Sequence, residues 1–425
     1  MKPIILSTPR AGTRSRSSVR ILFLALLLAA AGCATFNPQP REEVPFLERA
    51  VTQTRGALTV TVAVPTREEA KKLFGLDVEK KRIQAVWIDI RNDGPNDYWF
   101  MHHGLDPNYF SAHEVAYMHH RKLQRDTNRE IDEYFGALGI DPAVPAHGRT
   151  AGFAFSNLKL GTKEVRIRIF GDQQVENFTF FVTVPGFDAD WQQVDPDTLY
   201  PEDEIVQLRT EQELYDALLT LPCCTTRADG TGEGDPLNIV VIANDDDTLG
   251  FIRAGWDETE VLTAASGWKT FKAFFGGEYK YSPMSALYVY GRPQELSLQK
   301  ARDTIHLRNH LRLWVSPWKY QGKRVWVGGI SRDIGVYFTT RAWNLTTHAI
   351  DPDIDEARTY LTEDLATAQA LQKVGLVPGV GAATPEEPHR NLMNAPWWTD
   401  GNREVYLMTE GRVPLEKLDY FSWEK

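Results

Sequence analysis

Three basic residues alternate along one predicted strand, with Arg308, His310 and Arg312 in the segment 306–315. Alternate residues of a strand share a face and lie about 7 Å apart, so these three side chains line one side of the strand. Leu311, Leu313 and Val315 line the other side, as in a strand that contributes to a core. Burial of an unpaired charge is costly, so the three groups need either protein partners or a ligand. The pattern therefore indicates an internal polar network or an anion-binding pocket.

Both interpretations of these residues remain open at the level of the sequence. In the first, carboxylates of the same region pair with the cations and join this strand to the start of the last helix. In the second, Arg308 and Arg312 hold an anion such as phosphate while His310 or His348 moves a proton, as in a hydrolase or a phosphoanion-binding enzyme. The candidate polar cluster, catalytic or structural, comprises Arg308, His310, Arg312, Asp333, His348, Asp351 and Asp353.

A run of carboxylates precedes the last predicted helix, from Asp351 to Glu356. A calcium loop needs a glycine for its turn and a bidentate glutamate at its twelfth position. Here Pro352 stands second and the run contains no glycine. Carboxylates at the start of a helix satisfy its free N–H groups and complement its dipole. We therefore interpret the run as a helix cap.

Half of the ten histidines lie between residues 102 and 120. His113 and His120 would share a helix face, but the residue four positions after His113 is Tyr117, which is a poor zinc ligand. We interpret these histidines as polar residues on a half-exposed helix and predict no metal site. The sequence has no CxxC pair, GxSxG elbow, glycine-rich phosphate loop or HExxH motif. No cofactor is therefore expected, and whether the protein is an enzyme stays open.

The N-terminal 33 residues have the composition of an export signal. They carry five basic and no acidic side chains, and an apolar run from Ile21 to Ala31 precedes Cys33. The run is too short to span a bilayer, so a cleaved secretory signal is indicated. Ala30-Ala31-Gly32-Cys33 resembles the lipobox of bacterial lipoproteins, which implies that Cys33 is acylated, with palmitate among the possible chains. The alternative is an ordinary signal peptide in which Cys33 is incidental.

The position after Cys33 and the overall charge suggest a compartment and exclude some partners. In proteobacterial lipoproteins, an Asp directly after the acylated cysteine retains the protein at the inner membrane. Ala34 occupies this position, so the resemblance implies that this chain is anchored to the outer membrane and faces the periplasm. The chain has 47 basic and 57 acidic residues, a net charge of −10. Nucleic acid needs a basic footprint and is not expected as a partner. Expected partners are a membrane through the lipid anchor, and envelope proteins or a small anionic ligand.

Two adjacent cysteines, Cys223 and Cys224, remain after the N-terminal one. Outside the cytoplasm the compartment is oxidising, so the pair could form a vicinal disulfide that stiffens its loop. Two inert thiols are the alternative.

The chain divides into four predicted segments. Residues 1–33 form the signal peptide, and residues 34–55 form a Pro- and charge-rich linker. Residues 56–186 contain short alternating strands, which predict a β-sandwich with a helical insertion. Residues 205–425 alternate helices and strands, which predicts a mixed α/β domain. The expected fold class is therefore α+β, with two domains.

Two long helices are expected within this plan. A capping box at Ser111 opens the helical insertion, which should run as one helix to about Leu138. In the second domain, a buried strand is expected at Leu237–Ala243, and a helix from about Asp353 to Lys373.

Six segments of the second domain form a recognisable series. In chain order they are Gly234–Val240 (GDPLNIV), Ala254–Trp256 (AGW), Gly291–Leu296 (GRPQEL), Arg308–Trp314 (RNHLRLW), Val325–Gly328 (VWVG) and Thr347–Asp355 (THAIDPDID). This series resembles the LssY-type C-terminal domain, with core motifs between residues 220 and 380. Glu295, Asn309 and Ala349 depart from the family pattern, in which an Asp and two His stand at these places.

The resemblance implies a domain type and no particular reaction. Loss of the two pattern histidines at Asn309 and Ala349 weakens a metal or acid–base role. We therefore expect a membrane-anchored envelope lipoprotein that acts as a binding or assembly module. The alternative expectation is the hydrolase or phosphoanion-binding enzyme built on the Arg, His and Asp cluster.

Overall fold

A computed structural model describes residues 36–171, 173–187, 189–259, 286–301, 307–338 and 346–424. The predicted signal peptide and Cys33 lie outside these residues. Strands outnumber helices, and seven α-helices occur in the described part of the chain, so the predicted α+β class is confirmed. No helix within these ranges is long and apolar enough to cross a membrane.

The first half of the described chain builds two four-stranded sheets. Their strands are β1 Val51–Arg55, β2 Leu58–Ala63, β3 Ile83–Asn92, β4 Tyr98–Phe100, β5 Ala143–Val144, β6 Gly148–Asn157, β7 Thr162–Gly171 and β8 Gln174–Thr183. One sheet has the order β1-β2-β3-β6 and the other the order β5-β4-β7-β8. Inward-facing residues of both sheets, such as Val60, Ile88, Ile167 and Phe180, belong to one buried apolar cluster.

Four helices accompany these sheets: α1 Arg67–Phe74, α2 His102–Leu105, α3 Ala112–Met118 and α4 Arg125–Leu138. The capping box expected at Ser111 is formed, and Thr66 forms a second one at the start of α1. Three of the helices cover the other face of the first sheet, where Phe74, Val115 and Phe135 pack in a cluster with strand residues.

The helical insertion corrects the expectation of one helix from Ser111 to Leu138. The chain leaves the helix after Met118 and resumes at Arg125. Asn128 explains the break, because its side chain donates to the carbonyl of Arg121 and accepts from the N–H of the same residue, at 2.9 and 2.8 Å. Leu123 adopts a left-handed φ of 63°, which a continuous helix does not allow.

The second half of the described chain is organised around one ten-stranded sheet. Ten strands belong to this sheet, and four more form the small hairpins β12-β13 and β19-β20. The strands of this half are β9 Val206–Leu208, β10 Ile239–Ile242, β11 Asp257–Glu258, β12 Tyr288–Val289, β13 Arg292–Pro293, β14 Leu296–Ala301, β15 Arg308–Tyr320, β16 Lys323–Phe338, β17 Thr346–Ile350, β18 Leu371–Pro378, β19 His389–Arg390, β20 Pro396–Trp397, β21 Asn402–Met408 and β22 Asp419–Tyr420. Its helices are α5 Glu211–Leu218, α6 Asp245–Arg253 and α7 Ile354–Thr367.

The large sheet has the order β11-β14-β15-β16-β10-β21-β18-β22, with β9 beside β15 and β17 beside β16. The strand predicted at Leu237–Ala243 is present as β10, and all four of its residues are buried. It pairs antiparallel with β16 and parallel with β21. Burial on both faces explains its uninterrupted apolar sequence.

The last helix is shorter than expected, because α7 ends at Thr367 and residues Leu371–Pro378 form β18. Gln369, with a left-handed φ of 59°, lies between the two elements. Strand β18 then pairs along its length with β21, where Val374 stands opposite Tyr406. Tertiary pairing therefore overrides the helical pattern of the sequence at this point.

The two halves of the chain meet at Glu258 in β11. Its carboxylate accepts hydrogen bonds from the N–H and hydroxyl of Thr162, at 2.6 and 3.0 Å, and from the indole N–H of Trp191, at 2.7 Å. Nearby, the Lys159 ammonium donates to the carbonyl of Trp256, at 3.0 Å. Glu258 is buried, so these contacts tie β7 of the first half to the edge of the large sheet.

Candidate functional site

Strand β15 carries the three alternating basic residues into the centre of the large sheet. It lies between β14 and β16, and its apolar residues Leu311 and Leu313 pack in one core cluster while Trp314 packs in another. The strand is therefore buried on both faces. The three basic side chains lie on one face of the strand, as the alternation predicts. The Arg308 and His310 side chains are buried, with 5% and 9% of their surface exposed.

Asp333 of β16 lies beside the first two basic groups. One carboxylate oxygen is 3.1 Å from His310 Nε2 and 3.6 Å from Arg308 Nε. The Arg308 guanidinium also donates to the Gln299 side-chain carbonyl, at 2.5 Å. Because β14, β15 and β16 are adjacent in the sheet, strand pairing alone brings these four residues together. They form a polar network inside the sheet, which we call the Asp333 network.

The surroundings of His310 determine its charge. Burial lowers the pKa of its imidazole to about 4, although Asp333 acts in the opposite direction. Burial also lowers the pKa of Arg308, with Asp333 again opposing the change. At neutral pH the imidazole is therefore uncharged, and a base with so low a pKa is poorly matched to proton transfer near pH 7.

Arg312, the third basic residue, lines a pocket. One guanidinium nitrogen lies 3.8 Å from a carboxylate oxygen of Asp235, and the two side chains are 11% and 21% exposed. The pocket has a cavity volume of about 20 Å³ and is partly open to solvent. Its lining consists of Thr225, Asp235, Pro236, Leu287, Arg312, Trp314, Gly329, Ile330, Ser331, Ile350, Ile354, Asn391, Ala395, Pro396 and Trp397.

Hydrogen bonds hold Asp235 at the pocket wall. Its second carboxylate oxygen accepts from the Asn391 side chain at 2.9 Å, and its backbone carbonyl accepts from the N–H of Thr225 at 3.0 Å. Gly329 permits the close approach of this loop, because a Cβ at that position would lie 2.7 Å from the carbonyl oxygen of Pro236. The loop, β15 and β16 thus form one continuous wall.

A disulfide supports the same wall. Cys223 and Cys224 are joined by a bond of 2.03 Å between their sulfur atoms. The pair packs in a small apolar cluster with Ile354 and Trp397, both of which line the pocket. The disulfide loop is also hydrogen-bonded to the Asp235 loop, since the N–H of Leu237 donates to the carbonyl of Cys223 at 2.8 Å.

The remaining members of the predicted cluster do not share one site. Asp351 and Asp353 each accept a hydrogen bond from the backbone N–H two residues further along the chain, at 3.2 Å, and Asp353 caps α7. This agrees with the capping interpretation of the carboxylate run. The backbone of His348 pairs with Val336 of β16, but its side chain lies outside the described part of the structure. The Asp333 network therefore links neighbouring strands, and these two carboxylates cap the last helix.

The histidines of the helical insertion have local protein partners. His119 Nδ1 lies 2.8 Å from the carbonyl oxygen of Val115, and His120 Nε2 lies 2.8 Å from the Asp132 carboxylate. His113 is 3.8 Å from the same carboxylate and mostly exposed. Over the described ranges, no group of three His, Cys, Asp or Glu side chains is placed to hold a metal ion.

Sequence reasoning missed three pocket residues: Asp235, Asn391 and Trp397. Asp235 stands inside one of the recognised motifs, but no spacing connects it with Arg312, 77 positions later. Trp397 is buried, and its indole N–H has no hydrogen-bond partner among the described residues, although it lines the pocket. Such an unsatisfied buried donor calls for an explanation.

Comparison with known families agrees with the motif series. The model of the LssY C-terminus family matches residues 215–402. The matched range includes β15, β16 and all the residues that line the pocket. A comparison with curated proteins finds no match to this chain.

Proposed function

We propose that this chain, whose residues 215–402 form an LssY-type C-terminal domain, is an envelope lipoprotein that binds a small molecule in that domain. The pocket beside Arg312 is the proposed binding site. Ligand pockets combine apolar walls with a few fixed polar groups. With Arg312 and Asp235 set among apolar and aromatic residues, this pocket has that character.

The observation that carries the proposal is that Arg312 lines the pocket together with Asp235. Arg308 and His310 lie in the Asp333 network and are not among the described lining residues, whereas Arg312 borders a solvent-connected space. The enzyme alternative required these residues to act together on one anion. A neutral His310 that is 9% exposed gives that mechanism little support.

The arrangement that we propose for the whole chain has three parts. A lipid on Cys33 would tether it to the outer membrane, and residues 34–55 would space the body from the bilayer. Residues 56–186 would form a β-sandwich domain, which is supported by the common core of the two small sheets. The binding domain would then face the periplasm, where a small molecule or an envelope protein could reach the pocket.

A fragment screen by ligand-observed NMR tests the binding proposal. The soluble chain beginning at Ala34 is compared with an Ala395→Phe variant. Ala395 lines the pocket and is only half-buried, so the larger ring should fill the space without straining a core. A set of small fragments should give saturation transfer with the original chain and lose it with the filled variant.

The control is Ala143→Phe, because Ala143 is exposed on β5 and lies outside the pocket lining. This variant should bind the same fragments as the original chain. Identical fragment profiles for the original chain and Ala395→Phe, with both proteins folded, would show that the pocket is not a binding site.

The tether has its own test, which does not depend on the pocket. Cells that produce the full chain are grown with labelled palmitate, and the protein is isolated from the membrane fraction. The Cys33→Ala variant should incorporate no label, while Cys223→Ala should be labelled like the original chain. Labelling of Cys33→Ala would contradict the lipoprotein proposal and leave the pocket proposal intact.

A further inference from the structure

We propose that the first half of the chain carries a surface that docks on an anionic phospholipid bilayer. Two segments, residues 71–82 and residues 119–125, form this surface, which we call the basic surface. Three observations carry the inference: the charge of the two segments, an exposed leucine among basic residues, and the short stretch of chain that separates the surface from Cys33. The third observation rests on the proposed lipid tether, whereas the first two do not.

The basic surface differs in charge from the chain as a whole. Residues 71–82 contain five Lys or Arg and two Asp or Glu, and residues 119–125 contain three Lys or Arg and no acidic residue, in a chain of net charge −10. Burial raises the pKa of Glu79 to about 7, so this carboxyl group is only partly charged at neutral pH. The other carboxylate, Asp77, pairs with Arg67 at 2.7 Å. Such a surface is complementary to anionic headgroups.

Direct contacts join the two segments. The Nε2 atom of His119 lies 3.4 Å from the carbonyl oxygen of Asp77, whose side chain caps the turn that follows it. Lys80 and Lys81 of that turn are exposed, and so is Lys122 in the second segment. The exposed lysines therefore lie on adjoining segments, where one flat partner can contact both.

Leu123 stands at the tip of the second segment. Its side chain is fully exposed, and its φ of 63° is left-handed. Asn128 fixes the base of the loop through hydrogen bonds with both backbone groups of Arg121. A leucine held in a sparsely populated conformation and turned into solvent indicates a function for the loop. With Arg121 and Lys122 beside it, the leucine can enter the boundary of the acyl chains while the basic groups contact headgroups.

The start of the described chain lies against the first segment of the basic surface. The N–H of Gln39 donates to the carbonyl of Lys72 at 2.8 Å, and Phe36 packs against Tyr134 with ring centroids 5.6 Å apart. Only two residues stand between Phe36 and Cys33, so their Cα atoms are separated by about 11 Å at most. A lipid on Cys33 would therefore hold this side of the first half close to the bilayer.

Vesicle sedimentation tests the inference with a chain that carries no lipid. The soluble chain beginning at Ala34 is mixed with vesicles of phosphatidylcholine, either pure or with phosphatidylglycerol as the anionic lipid. It should sediment with the anionic vesicles, stay in solution with the neutral ones, and be released by high salt, because salt screens exposed charges. The triple variant Lys80→Gln, Lys81→Gln, Lys122→Gln should bind at least about tenfold more weakly.

The matched control removes three positive charges at exposed positions outside the basic surface: Arg91→Gln, Arg209→Gln and Lys417→Gln. This triple variant should bind the anionic vesicles like the original chain. Circular dichroism melting establishes that both variants are folded. Equal binding by the two triple variants would overturn the inference, because the position of the charges would then be immaterial.

A fluorescent label tests whether the loop tip reaches the bilayer. Leu123→Cys and Leu415→Cys replace two exposed leucines, and each variant is labelled with nitrobenzoxadiazole without reductant so that the disulfide stays closed. The label at position 123 should brighten on addition of anionic vesicles, whereas the label at position 415 should not. Unchanged emission at position 123 in a vesicle-bound chain would overturn the proposed docking surface.

The outcomes are independent of the tether and of the pocket. Absence of sedimentation with anionic vesicles, or equal sedimentation with neutral ones, overturns the inference whatever the palmitate experiment shows. A dimer in sedimentation velocity that Leu123→Ser dissociates would make a second copy the occupant of this surface, and the inference would also fail. Binding through the basic surface, together with an unlabelled Cys33, would overturn the tether and leave the docking surface in place.

Discussion

A single arginine, Arg403 of β21, holds together the segments that surround the disulfide. Its side chain is fully buried, and its guanidinium donates to the carbonyl oxygens of Leu218, Leu221, Pro222, Leu237 and Gly379. These five acceptors come from three separate stretches of chain. Burial lowers the pKa of Arg403 to about 10, so the group stays charged at neutral pH and its hydrogen bonds are charge-assisted.

Arg403→Lys should therefore be strongly destabilising although it keeps the charge. A lysine has three donors on one atom and cannot reproduce the planar fork, so buried carbonyls would lose their partners. We expect the free energy of unfolding to fall by about 3 kcal/mol or more. Urea denaturation measures it, with Arg129→Lys on the surface of α4 as the control. A loss for Arg403→Lys no larger than for the control would contradict this role.

His310 should make the fold sensitive to acid. Its pKa is lowered by burial to about 4, whereas an unfolded histidine has a pKa near 6.5. Below that value the unfolded chain binds a proton that the folded chain excludes, so stability should fall as the pH falls from about 6.5 toward 4. Between pH 7 and pH 5 the contribution of this residue is a loss of about 2 kcal/mol.

Groups other than His310 also titrate between pH 7 and pH 5, so the pH dependence of stability is compared between the original chain and His310→Gln. Burial raises the pKa of Glu79 to about 7, which acts in the opposite direction and is common to both proteins. Urea denaturation at pH 7 and pH 5 should show a loss of stability that is about 2 kcal/mol smaller for His310→Gln than for the original chain. Equal losses for the two proteins would mean that His310 is not the buried neutral base described here.

At the scale of elements, the disulfide loop should matter more for binding than for overall stability. The loop carries Thr225, whose N–H bonds to Asp235, and its two cysteines belong to one apolar cluster with Trp397. Opening the disulfide frees two residues beside the pocket wall while the large sheet remains paired. Reduction with a phosphine should therefore weaken fragment binding to the pocket severalfold and change the melting temperature by only a few degrees.

The control for reduction is the Cys223→Ser, Cys224→Ser double variant, which removes the disulfide without a reductant. Its affinity for the pocket-binding fragments should equal that of the reduced chain, and added phosphine should not change it. If reduction leaves the affinity of the original chain unaltered, the disulfide does not support the pocket.

The elements show what the sequence could and could not predict. The capping box at Ser111 gave a correct helix start, because the bonds that form it are local. Helix ends were less predictable. The break before Arg125 depends on the Asn128 side chain, and the end of α7 is followed by a strand that pairs with β21. Both depend on contacts that the helical periodicity does not record.

At the scale of the whole molecule, Glu258 is expected to couple the two halves of the chain. Its buried carboxylate accepts three hydrogen bonds from Thr162 and Trp191. In Glu258→Gln one acceptor oxygen becomes an NH₂ group that faces a donor, so at least one of these bonds is lost. We expect a lower melting temperature and a broader or divided unfolding transition, because the halves would unfold less cooperatively.

Differential scanning calorimetry measures this effect, with the exposed Glu68→Gln in α1 as the matched control. The control should melt like the original chain. If Glu258→Gln keeps a single transition at the original temperature, Glu258 does not couple the halves.

The candidate site was only partly predictable for a reason that applies to the whole molecule. Alternation along β15 correctly placed Arg308, His310 and Arg312 on one face of the strand. It could not show that β16 would supply Asp333 to the first two residues, nor that a loop near Asp235 would reach the third. Those partners are chosen by strand order and loop approach, which involve residues tens of positions apart in the chain.

In this protein the pocket is proposed to bind a ligand while the Asp333 network only stabilises the fold. The measurement that decides between these roles is the affinity of the pocket-binding fragments for the original chain, His310→Gln and Ala395→Phe. We predict that His310→Gln binds within about twofold of the original chain, although its stability differs, and that Ala395→Phe shows no measurable binding. Loss of binding in a folded His310→Gln, or its persistence in Ala395→Phe, would contradict the claim.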